Sequence, residues 1–86
     1  MFANRLRLVL GEGDEERPVP KAWLDQFFLR SFTGYSAFDE TLPVADGEIE
    51  AAHSVKPGEV REHLERWLRA RKLISPGCRL AVMPPP

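Results

Sequence analysis

Leu6, Leu8 and Leu10 alternate with Arg5, Arg7 and Val9, the period-two pattern of a strand with one buried face. A different period follows Pro57-Gly58. Val60, Leu64, Trp67 and Leu68 recur at i, i+4, i+7 and i+8, while Arg61, Glu62, Glu65, Arg66, Arg69 and Lys72 fill the remaining positions. That spacing predicts an amphipathic helix over 59–72, with one side buried and the other wet.

Between these two segments lie three further elements. Gly11 to Pro18 is acidic and carries two glycines, so it is expected to be a flexible connection, with Pro18 or Pro20 opening the first helix where no backbone N–H is needed. Trp23, Leu24, Phe27, Phe28 and Phe32 give that helix an apolar stripe, closed by Thr33-Gly34. Tyr35 to Leu42 has β-compatible side chains, and Pro43 marks an edge strand or a strand end. Asp46-Gly47 is a hairpin signal. After it Glu48, Glu50, Ala52 and Ser54 alternate with Ile49, Ala51, His53 and Val55, which predicts a strand over 48–55. Beyond the second helix, Ser75-Pro76-Gly77 turns the chain into a last strand containing Cys78, Leu80 and Val82, followed by the prolines 84–86.

The expected order is therefore strand, helix, strand, strand, helix, strand. This is the βαββαβ order of ferredoxin-like α+β domains: a four-stranded antiparallel sheet, first and third strands central, both helices on one face. A single domain over 1–83 with a proline tail at 84–86 fits the length of 86 residues.

The open face then follows from the alternation. If the leucines of the first strand meet the helices, Arg5, Arg7 and Val9 face away from them, as do Glu48, Glu50 and Ala52, so opposite charges meet on adjacent strands. RNA-binding modules of this topology present aromatic residues there for base stacking. Arginine and glutamate occupy those positions instead.

Charge refines the picture of partners. The formal net charge of -1 argues against a general polyanion binder, and 43% hydrophobic with 29% charged residues suits a folded domain. Six basic residues stand against two acidic ones from Arg61 to Arg79. Arg69, Arg71, Lys72 and Arg79 are thus a second candidate surface, although i, i+4 ion pairs and the helix dipole also account for charges there. The lone Cys78 leaves no intramolecular disulfide and fits a reducing, cytoplasmic interior. No stretch has the ~20 apolar residues of a membrane span, so a membrane partner is not expected.

Candidate chemistry is sparse. His53, among Ile49, Ala51 and Val55, is the best proton-transfer candidate, with Tyr35 and Asp39 as groups that could orient it. His63 reads as a surface residue. Two separated histidines and one cysteine make no metal site, and no cofactor motif is present: Gly11-Glu12-Gly13 lacks the third glycine and lysine of a nucleotide loop. The expectation is a small protein-binding or regulatory module of inhibitor or adaptor type. Its contact residues would be Arg5, Arg7, Glu48 and Glu50 on the sheet, or Arg69, Arg71, Lys72 and Arg79 at the basic end of the second helix. A homo-oligomer is compatible with this. Two alternatives are a small homo-oligomeric enzyme centred on His53, and a nucleic-acid-binding accessory protein using Arg69, Arg71 and Lys72.

Overall fold

The computed structural model describes residues 4–31 and 40–84. They form an α+β domain: an open, antiparallel sheet of five strands with two helical segments. Strand β1 (Asn4–Glu12) is its axis. On one edge it pairs with β5 (Arg79–Met83), Val9 lying opposite Ala81. Its other edge is shared end to end by β4 (Glu48–Ala51), which pairs with residues 4–7, and β2 (Glu15–Pro18), which pairs with residues 9–12. Strand β3 (Thr41–Ala45) lies beyond β4.

The five strands depart from the expected four, so the ferredoxin-like arrangement is not confirmed as such. The additional strand is β2, which the sequence presents as a connection. Gly13, at φ +62, turns the chain between β1 and β2. All four β2 residues are exposed. A strand that buries no side chain needs no apolar alternation, and its backbone pairing with β1 leaves no trace in the hydropathy pattern.

The helices also shift. Pro18 ends β2 and Pro20 precedes the helix, so α1 (Lys21–Asp25) starts later than expected and continues as a π-helical stretch, Gln26–Ser31. Leu24, Phe27 and Phe28 are buried and Trp23 packs against the core, as the aromatic stripe implies. Helix α2 (Pro57–Ala70) buries Val60, Leu64 and Leu68, with Trp67 partly covered. Both helical segments share one core with Leu6, Leu8, Leu10, Ile49 and Leu80, so they cover the same face of the sheet.

Two strand boundaries are corrected. Of the two readings of Pro43 the edge strand holds and the strand end does not: Pro43 stands in the middle of edge strand β3, with a bulge between Pro43 and Ala45. The Ala52 N–H donates to the Glu40 carbonyl, so positions 40 and 42 carry the ladder hydrogen bonds and Pro43 is turned to the free edge, where a missing N–H costs nothing. Strand β4 ends at Ala51, four residues earlier than expected. Ala52 is buried, His53 and Ser54 form an exposed turn, and Val55 returns to the core. The alternation from 48 to 55 therefore spans a strand and a turn whose apolar residues both reach the core. The expected end of the first helix at Thr33-Gly34 and the start of the second strand at Tyr35 lie outside the described residues.

The Asp46-Gly47 turn joins the parts. Leu8 N–H donates to the Gly47 carbonyl at 2.6 Å, and Gly47 N–H donates to the Val19 carbonyl at 2.6 Å. Asp46 Oδ1 accepts the Lys21 N–H at 2.7 Å, satisfying a free donor at the start of α1. A side chain on Gly47 would place its Cβ 2.6 Å from Pro18 Cβ and 2.9 Å from the Leu8 carbonyl oxygen. Its φ of +70 is a second reason for glycine.

Candidate functional site

Residues directly opposite in an antiparallel ladder point to the same face. The register sets Arg5 opposite Glu50 and Arg7 opposite Glu48. Since Leu6 and Ile49 belong to the helix-side core, these four charged residues stand on the face the helices leave open. The structure thus brings Arg5, Arg7, Glu48 and Glu50 together as two adjacent stripes of opposite sign. Ala52 does not join them.

The two rows differ. Arg5 donates to Glu50 Oε1 at 2.7 Å. That hydrogen bond and the Glu50 charge raise the guanidinium pKa, with Glu48 adding to the effect. Arg7 and Glu48 are direct neighbours, yet neither makes an ion pair or side-chain hydrogen bond among the described residues. Beside them is a depression of about 520 Å³, lined by Arg7, Val9, Glu16, Pro18, Glu48 and Met83 among others. Val9 is only 6% exposed although it points away from the helix-side core. Pro18 and Ala81 are its cross-strand neighbours. The result is an apolar floor within a charged rim.

The second candidate surface is spent differently. Arg69 donates to Glu65 Oε1 at 2.8 Å and to the carbonyls of Ser75, Pro76 and Cys78 at 3.2, 3.3 and 2.6 Å. Arg79 stands 3.7 Å from Glu65, and Arg61 3.6 Å. Arg71 lies over the Trp67 ring at 4.7 Å, a cation–π contact. Lys72 ends the helix in the left-handed region at φ 58, its N–H bonded to the Arg69 carbonyl and the Leu73 N–H to the Leu68 carbonyl. This is a Schellman stop with lysine in the place that glycine usually takes. Most of the positive charge read in the sequence is therefore engaged within the domain.

Glu65 is the centre of that cluster. The Leu80 N–H faces the free edge of β5 and donates to Glu65 Oε2 at 3.3 Å. Burial is the largest single influence on its carboxyl and favours the neutral form. The Arg69 hydrogen bond, the Leu80 amide and the charges of Arg69 and Arg61 together outweigh it and hold the pKa below the ordinary glutamate value. These residues tie α2 to the edge of the sheet.

His53 lies in the exposed turn after β4, not on the buried face. Its expected helpers Tyr35 and Asp39 are outside the described residues. His63 is half-buried on α2, and Cys78 is a buried free thiol. No group of three or more metal-ligating side chains occurs among the described residues. No described helix is long and apolar enough to cross a membrane. The candidate feature that the sequence does not reveal is the depression itself. Pro18 and Glu16 reach it through β2, which has no hydropathy signal.

The fold and face define a small α+β domain with an open, charge-striped sheet. No known protein family, curated protein or solved structure matches the chain.

Proposed function

We propose that this domain is a non-enzymatic protein-binding module, of inhibitor or adaptor type, that engages its partner through the open face of the sheet. One observation carries the reading: Arg7 and Glu48 face each other without bonding, beside the apolar floor at Val9. An apolar centre with a polar rim is the general anatomy of a protein interface. Strands also hold such a surface in place without ordering it at the moment of binding. The Arg69 cluster supports this choice indirectly, because its charges already serve the α2–β5 junction.

The fold reading that accompanies the proposal is a ferredoxin-like core carrying an added hairpin strand. Without β2 the sheet path is β5–β1–β4–β3, which is the order of that core, and this supports the reading.

The test is affinity capture from the native cell extract, after nuclease treatment, with the wild-type chain and the charge-reversal variant Arg7→Glu as paired baits. A protein retained by the first and lost by the second is the expected result. Retention by both baits, or loss from an Arg71→Glu bait instead, would overturn the choice of face.

A further inference from the structure

Resting on that reading of the open face, we infer that its partner is a second copy of this chain. Arg5 and Arg7 form a positive stripe on β1, and Glu48 and Glu50 form a negative stripe on the adjacent β4, in register residue for residue. A twofold axis running parallel to the strands, midway between the stripes, carries each stripe onto the other. Arg7 of one copy then lies over Glu48 of the second, and Glu48 over Arg7.

The apolar positions obey the same operation. Val9 and Pro18 are opposite each other on the two sides of that axis, so Val9 of one copy meets Pro18 of the second. In the next row outward, Met83 flanks Arg7 and Ala45 flanks Glu48, so Met83 meets Ala45. A twofold axis across the strands would instead set arginine over arginine and glutamate over glutamate. Of these two arrangements only the first is self-complementary, which is the condition for an isologous dimer. Face-to-face sheets with nearly aligned strands pack about 10 Å apart, a gap that facing arginine and glutamate side chains can bridge.

The Arg7–Glu48 row explains why this surface is not already satisfied. Its neighbour Arg5–Glu50 closes internally at 2.7 Å, whereas Arg7 and Glu48 remain open toward the opposing copy. Charge-paired association also predicts weaker binding as salt rises.

The experiment is the solution mass of the full chain across a concentration series, by sedimentation equilibrium, with a protomer of 9.8 kDa. The wild type is expected to dimerise. Arg7→Glu places glutamate against glutamate, and Glu48→Arg places arginine against arginine, so each variant alone should dimerise about 100-fold more weakly or not at all. Mixed together, the two variants should form a one-to-one heterodimer. The substituted glutamate of the first then faces the substituted arginine of the second, while the native Glu48 of the first faces the native Arg7 of the second. Far-UV circular dichroism on each variant checks that it remains folded. Arg7→Gln, which removes charge without reversing it, gives a second series expected to weaken the dimer about tenfold.

A wild type that stays monomeric, a dimer indifferent to these substitutions, or two variants that fail to combine would each overturn the inference. If the wild type is monomeric but Arg7→Glu still abolishes capture of a different protein, the open-face reading survives without the homodimer. If capture is also indifferent, both fall.

Discussion

Arg69 on α2 and Arg7 on β1 each stand beside a glutamate, and the fold treats them in opposite ways. Arg69 gives hydrogen bonds to Glu65 and three backbone carbonyls, and Glu65 in turn accepts the free-edge amide of β5. Arg7 has Glu48 directly opposite and no bond to it. The first pair guards an edge that could otherwise template pairing with another strand. The members of the second pair make no bond to each other within the domain. A charge becomes scaffolding where loop carbonyls and unpaired amides surround it; on the already paired ladder of the open face, Arg5 closes on its opposite glutamate and Arg7 does not.

The contrast can be broken most severely at Gly47, which anchors the β3–β4 turn from which Glu48 is displayed. Gly47→Ala forces an L side chain into φ +70 and against the Leu8 carbonyl. About 2–5 kcal/mol of destabilisation is expected, the sum of left-handed strain and overpacking. Chemical denaturation would measure it, and an unchanged midpoint would show that the turn can move away.

Removing scaffold charge comes next. Arg69→Ala leaves Glu65 half-paired and takes the Arg69 donor from the Pro76 and Cys78 carbonyls, while the Ser75 carbonyl keeps the Cys78 N–H, so a loss of about 1–3 kcal/mol is expected in the same assay. A smaller effect concerns acid. Because the folded-state pKa of Glu65 is depressed, its contribution is present above the unfolded value and disappears as pH falls through the folded one. Stability measured on acidification from neutral pH should therefore decline, and Glu65→Gln should flatten part of that decline. A parallel pH profile in the variant would remove Glu65 from the explanation.

The smallest effect is expected on the open face. Arg7→Ala makes no internal bond disappear and should change the stability of the isolated protomer by no more than about 0.5 kcal/mol. A loss as large as that of Arg69→Ala would erase the distinction between the two regions. Because a dimer adds stability by mass action, the comparison belongs at low protein concentration.

Local pattern and tertiary context divide cleanly in this chain. The alternation in β1, the i, i+4 spacing in α2 and the cross-strand meeting of the Arg5 and Arg7 stripe with the Glu48 and Glu50 stripe are legible because each depends on residues whose periodicity marks a buried face, and the Asp-Gly turn is legible because a positive φ favours glycine. The wet strand β2 is not, since its formation rests on backbone pairing with β1. His53 is misplaced by pattern for a related reason: Ala51, Ala52 and Val55 are all apolar and all buried, and hydropathy alone does not show the chain leaving the ladder between them. By itself the sequence determined the secondary elements with an apolar side and the two charged stripes. The i, i+4 spacing already offers Glu65 to Arg69, but only the tertiary structure decided the rest of that cluster, because the other partners of the guanidinium at the α2–β5 junction are carbonyls that every residue carries and no side-chain pattern announces.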